Sequence, residues 1–177
     1  MKRHRGFTLI ELLIVIGIVG ILSTLVITRF ASPQADAELD LAVSTISADI
    51  RTVTSWAQSG KIDSVTGTVP RGYGIVFLKT TSAYDIYAEF DGNNKFDAGI
   101  DTLIQHHDIE VEELISNVII GNCFPGVASC DFFVQLPGGN FYSNATLGAD
   151  MGVVLSHTQS GDEITMKING QTGQLEY

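Results

Sequence analysis

From Phe7 to Ile27 the chain presents 21 residues among which Glu11 is the single ionisable side chain. As a helix, such a run spans about 31 Å at 1.5 Å per residue, close to the roughly 30 Å hydrocarbon thickness of a bilayer. This predicts a membrane-spanning helix over residues 7–30. Lys2, Arg3 and Arg5 precede it, and a basic flank holds that end on the cytoplasmic side. The run is too long for a signal-peptide core, and no small-residue cleavage site follows it. Gly17, Gly20, Ser23 and Thr24 soften it without adding charge.

Glu11 sets this segment apart from a plain anchor. A carboxylate at mid-bilayer costs at least about 2–3 kcal/mol and calls for a partner. A cut between Gly6 and Phe7 would create an α-amino group one helical turn away, able to neutralise Glu11 on the same or a neighbouring chain. A simple anchor with a glutamate near the interface is the competing reading.

The string Gly6-Phe7-Thr8-Leu9-Ile10-Glu11, followed by Leu12-Leu13-Ile14-Val15-Ile16, resembles the processing motif of type IV prepilins and type II secretion pseudopilins. The resemblance implies a leader over residues 1–6, ending at Gly6 and removed by a prepilin peptidase. It implies N-methylation of the new terminus at Phe7 and a role for Glu11 in registering subunits during assembly. The partners it implies are other pilin or pseudopilin subunits, the peptidase, an inner-membrane assembly platform and membrane lipid. Many major pilins carry a proline within the apolar helix; here the first proline is Pro33, which favours a minor subunit.

The 177 residues allow one compact domain behind this segment. Formal net charge is −10, and loss of residues 1–6 would leave 7 basic against 20 acidic side chains. So acidic a surface repels a phosphate backbone and argues against general nucleic-acid binding. Cys123 and Cys130 flank the segment CFPGVASC. In a domain facing an oxidising compartment they favour a disulfide, with Pro125 and Gly126 suited to the turn; two unpaired thiols are the other reading.

Past Pro33, expected to kink or briefly interrupt the helix, Leu39, Val43, Ile46, Ile50, Val53 and Ala57 recur every three or four residues. They mark an amphipathic helix over residues 31–60, with Asp36, Glu38, Asp40, Asp49 and Arg51 largely off the stripe and Gly60 as its stop. Trp56 is expected at the junction of helix and sheet. The remainder, 61–177, alternates β-rich runs with turn residues: Tyr73–Lys79, Tyr84–Phe90, Thr102–His107, Phe132–Leu136, Gly152–His157 and Glu163–Ile168. Segment Glu110–Ile120 is open between a short helix or turn and a strand at Val118–Ile120. The fold class is α+β: a long N-terminal hydrophobic helix continues into an amphipathic helix packed on an antiparallel β-rich head.

The helix end Ile50–Gly60 and the run Glu163–Tyr177, which reads as a final hairpin, resemble the FimT and pseudopilin H group. In DNA-binding members of that type, basic residues of the tail carry the contact; here Gln171 and Gln174 stand in that region, which argues against DNA uptake.

Asp91, Asn93, Asp97 and Asp101 lie in a Gly-containing loop whose oxygen donors suit Ca²⁺. The loop resembles the start of an EF-hand, yet Lys95 stands where an acidic donor is expected and the twelfth-position glutamate is missing. A polar hairpin loop is the alternative. His106 and His107 are neighbours on a strand and point to opposite faces. His157 and Ser156 lack a nucleophile motif, and no P-loop, HExxH or Gly-x-Ser-x-Gly occurs. Asn144-Ala145-Thr146 is a weak glycosylation pattern. The expected function is therefore structural and non-enzymatic: a pilus or pseudopilus subunit, first anchored in the inner membrane with its head outside. A membrane-tethered binding module that never polymerises is the alternative.

Overall fold

A computed structural model describes the backbone of residues 8–109, 118–124 and 130–177, and their side chains except those of 24–33 and 124. The basic residues 1–5, the Gly6–Phe7 junction, Pro125, Gly126 and most of the ambiguous segment 110–117 lie outside the described residues.

One helix, α1 (Leu9–Ser59), runs for 51 residues. It passes through Pro33 without the brief interruption that is one expected outcome there, so the apolar and amphipathic segments form one continuous element. Proline removes one N–H from the ladder, and the bonds of the flanking turns carry the helix across that gap. At the C-terminus Gly60 adopts φ 64°, and the amide there bonds back toward Ala57 and Trp56. Only a residue at ease in the left-handed region can close a helix this way.

The apolar stripe of the C-terminal half docks as its spacing predicts. Leu39, Val43, Ile46, Ile50, Val53 and Ala57 are all buried, and Ala35 and Ala42 extend the same face. Glu38 and Asp49 depart from the expected solvent-facing pattern. Both turn toward the head, where Glu38 meets His157 Nε2 at 3.3 Å and Asp49 accepts the Tyr84 hydroxyl at 2.5 Å.

The head is two antiparallel sheets. The first has the order β3-β2-β1-β5-β6-β7: β1 (Gly72–Leu78), β2 (Ala83–Glu89), β3 (Thr102–Asp108), β5 (Cys130–Gln135), β6 (Phe141–Ser143) and β7 (Thr146–Leu147). The second has the order β10-β9-β8-β4: β4 (Val118–Phe124), β8 (Met151–His157), β9 (Glu163–Ile168) and β10 (Leu175–Glu176). The open question at Val118–Ile120 resolves as strand. Helix α1 lies against both sheets, packing on β1 and β5 of one and on β4, β8 and β9 of the other. Two further links tie the sheets together. Cys123 of β4 is disulfide-bonded to Cys130 of β5, and Ile120 exchanges two backbone hydrogen bonds with Thr80 and Thr81 of the β1–β2 turn.

Period-two alternation gives the first sheet two buried faces. Tyr73, Ile75, Phe77, Tyr84, Ile86, Phe132 and Val134 face the main core beneath the helix. Val76, Tyr87 and Phe133 form a smaller outer cluster closed by Phe96 and Tyr142. Gly74 is required there: a Cβ would collide with the Tyr87 ring.

Candidate functional site

Two regions carry chemistry the fold does not need, and the N-terminal part of α1 is the first. Its eleven large apolar side chains between Leu9 and Leu22 are all exposed, from 47% at Val15 to 82% at Leu9. Among the described residues no helix is long and apolar enough to cross a membrane; described side chains of this run stop at Ser23, while the sequence continues Leu25-Val26-Ile27. Glu11 sits at the head of the run in a capping box. Its carboxylate accepts the Thr8 amide and the Thr8 hydroxyl, each at 3.0 Å, and its own amide donates to Thr8 Oγ1 at 3.3 Å. The pattern Thr8-x-x-Glu11 is the sequence signature of that motif and was there to be read. The box aims the carboxylate at the helix N-terminus.

The second region is the β2–β3 loop, which folds back over the outer face of the first sheet. Phe96 lies on the Tyr87 ring at 5.1 Å. Beneath it, Asp131 of β5 accepts the Tyr87 hydroxyl at 2.6 Å and the Phe96 amide at 2.7 Å. Burial pushes the Asp131 carboxyl up to about 7, against the lowering effect of those two donors. Burial and the facing carboxylates also raise the Tyr87 phenol well above its ordinary value.

At the loop's two ends stand Glu89, Asp91 and Asp101, with one carboxylate oxygen from each within 4.8 Å of the others. Glu89 has no exposed surface. Its Oε1 accepts the amides of Gly92 and Asn93, while Oε2 has no hydrogen-bond partner. Asp101 accepts the Phe90 amide at 3.1 Å and the Asp97 amide at 2.8 Å. Burial raises the pKa of both Glu89 and Asp101, and the Asn93 amide lowers that of Asp91. Of the four loop residues singled out in the sequence, Asp91 and Asp101 thus meet. Asn93 donates its amide group to Asp91 and Asp97, and Asp97 also pairs with Lys95 Nζ at 3.3 Å. Glu89 belongs to a strand rather than to the loop pattern, and nothing in the spacing singled it out.

The three described histidines each meet an acidic neighbour. His106 faces outward to Asp85 at 2.5 Å, whereas His107 turns inward to stack on Tyr84 and approach Asp49 at 3.3 Å. The Ser160 amide donates to His157 Nδ1 at 3.1 Å, so the ring proton sits on Nε2 and points at Glu38. Trp56 packs edge-on to Tyr73 with Lys61 Nζ 3.2 Å from the ring centroid. Asn144 and Ala145, both at positive φ, form the turn between β6 and β7, and Asn144 Oδ1 accepts the Asp131 amide.

The class defined here is a stalked α+β protein: one helix, apolar and uncovered at its N-terminal end, docked at its C-terminal end on a β-rich head. Residues 1–27 match the family described as the prokaryotic N-terminal methylation motif. Two fimbrial proteins of Pseudomonas aeruginosa are each 37% identical to the chain over 83 residues, which is 46% of this chain and 53% of theirs. The chain thus spans about half the length of these curated relatives. No solved structure matches it significantly. Through its N-terminal segment the chain carries the methylation motif and is similar to these fimbrial proteins.

Proposed function

We propose that the chain is a structural subunit of a type IV pilus or a type II secretion pseudopilus and not an enzyme. It is cut between Gly6 and Phe7 by a prepilin peptidase, N-methylated at Phe7, and assembled through the exposed half of α1. The observation that carries this reading is the uncovered run Leu9–Leu22 with its one carboxylate held at the N-terminal end. Burying a Val, Leu or Ile side chain is worth about 1.5–3 kcal/mol, so eleven such groups demand a cover. Lipid supplies it before assembly, with the head outside the inner membrane, and neighbouring helices supply it afterwards. In that packed setting Glu11 faces the terminal amine of its own or an adjacent subunit, and this ion pair fixes the axial offset between helices.

Intact-mass analysis of the protein from membranes containing the peptidase tests the reading. Loss of residues 1–6 with gain of one methyl group is expected. A functioning protein that retains Met1–Gly6 would refute it. Glu11→Ala separates the filament subunit from a tethered module: it abolishes incorporation in the first case and changes nothing in the second.

A further inference from the structure

Glu89 presents a buried carboxylate oxygen that no N–H or hydroxyl donor of the described residues reaches and that shares its surroundings with the Asp91 carboxyl. Its other oxygen is fixed by the Gly92 and Asn93 amides, so the side chain cannot turn away. A buried charge left without a counter-group is unfavourable, and the groups nearest to it deepen the problem. Asp91 and Asp101 bring their own oxygens within 4.8 Å.

The nearby cations do not solve it. Lys95 pairs with Asp97, and the Arg71 guanidinium lies beside Gly92, with no hydrogen bond from either reaching Glu89 Oε2. What the site gathers is three carboxylates from two strand ends and the intervening loop, all oxygen donors, with no sulfur or imidazole ligand. Asp91 is exposed and leaves a path for entry. Two oxygens bound to one Ca²⁺ at about 2.4 Å lie no more than about 4.8 Å apart, and a mixed, irregular donor set suits Ca²⁺ better than the strict octahedron of Mg²⁺.

We propose that Glu89, Asp91 and Asp101 bind one Ca²⁺, which pins both ends of the 91–101 loop across the outer face of the first sheet. Asp131 lies outside this group of three carboxylates; it accepts from Tyr87 and Phe96 and shapes the loop from below. Asp97 is held off by Lys95 and Asn93. The proposal stands on the head alone and is independent of the filament assignment.

The test is calcium titration of the full chain in detergent micelles, by calorimetry and by thermal unfolding with either EDTA or CaCl₂. Saturable binding of one equivalent is expected, with a rise in Tm that MgCl₂ does not reproduce. Glu89→Gln retains the acceptor for Gly92 and Asn93, so it should match or exceed the native Tm in EDTA while losing at least tenfold in calcium affinity. Asp91→Asn, at an exposed position, should lose affinity likewise and leave the EDTA Tm unchanged. Asp36→Asn with Asp40→Asn, acidic positions in a separate cleft beside Asp162, should bind as the native chain does. Absence of a response up to about 10 mM calcium, well above the range of extracellular sites, would overturn the proposal. So would an equal response to magnesium, or undiminished binding by Glu89→Gln.

Discussion

Replacing Asp131 by asparagine should flatten the pH dependence of stability, and the structure sets the size of the effect. The carboxyl is raised from an ordinary 3.8 to about 7 by burial beneath Phe96 and Tyr87, with Asp101 adding to the rise and Lys95 opposing it. Between those two values the folded chain holds a proton that the unfolded chain has released. Folding stability is therefore greatest below the unfolded value and falls as pH rises toward the folded one. Each unit is worth 1.36 kcal/mol, so an interval of about three units amounts to about 4 kcal/mol lost between pH 4 and pH 7, with no further loss above. The side chain introduced by Asp131→Asn stays neutral at every pH; its carbonyl accepts from Phe96 and its amide donates to Tyr87 Oη. Urea unfolding of the full chain in micelles containing EDTA, followed through the fluorescence of its single tryptophan, Trp56, measures both proteins at pH 4.5, 6 and 8. The variant should lose most of the slope and keep the smaller part that the raised Glu89 and Asp101 contribute in the same direction. Identical slopes in the two proteins would refute the reasoning.

The remaining predictions concern the joints between helix and sheets. Ile46→Ala empties a fully buried site on α1 and should cost about 3 kcal/mol, read as a lower urea midpoint at unchanged m-value. Changing Cys123 and Cys130 together to Ser removes a short covalent loop between the sheets and should cost about 2–3 kcal/mol; the native chain with reductant should show the same midpoint shift. Glu38→Ala strands the buried His157 Nε2–H and should cost about 1–3 kcal/mol, with Glu38→Gln recovering most of it in the same unfolding assay.

Much of the fold was legible because it rests on local periodicity. The six apolar positions from Leu39 to Ala57 and the strands at Tyr73, Tyr84, Phe132 and Glu163 follow from spacing alone. Pro33 does not interrupt the helix because a missing N–H is a local fact, whereas helix continuity is a cooperative one. The short strands β6 and β7 escaped because three- and two-residue pairings leave no periodic trace. Glu38 and Asp49 looked solvent-facing by helical angle, and their partners, His157 and Tyr84, lie 119 and 35 residues away. Glu89 was hidden for the same reason: an acidic strand end becomes a site residue only once the loop closes over it. Thr8, by contrast, carried a readable capping pattern that the apolar run around it obscured.

The margins of both sheets are worth following to their effect on association. β7 and β10 are two residues long, β3 ends in Gln105-His106-His107-Asp108, and β4 is bulged and partly paired with the Thr80–Thr81 turn. Short, charged or already occupied borders give a neighbouring strand little backbone to zip onto. Crowded side by side at high local density, such heads stay discrete beads instead of fusing into cross-β aggregates, and the choice of neighbour is left to the stalk.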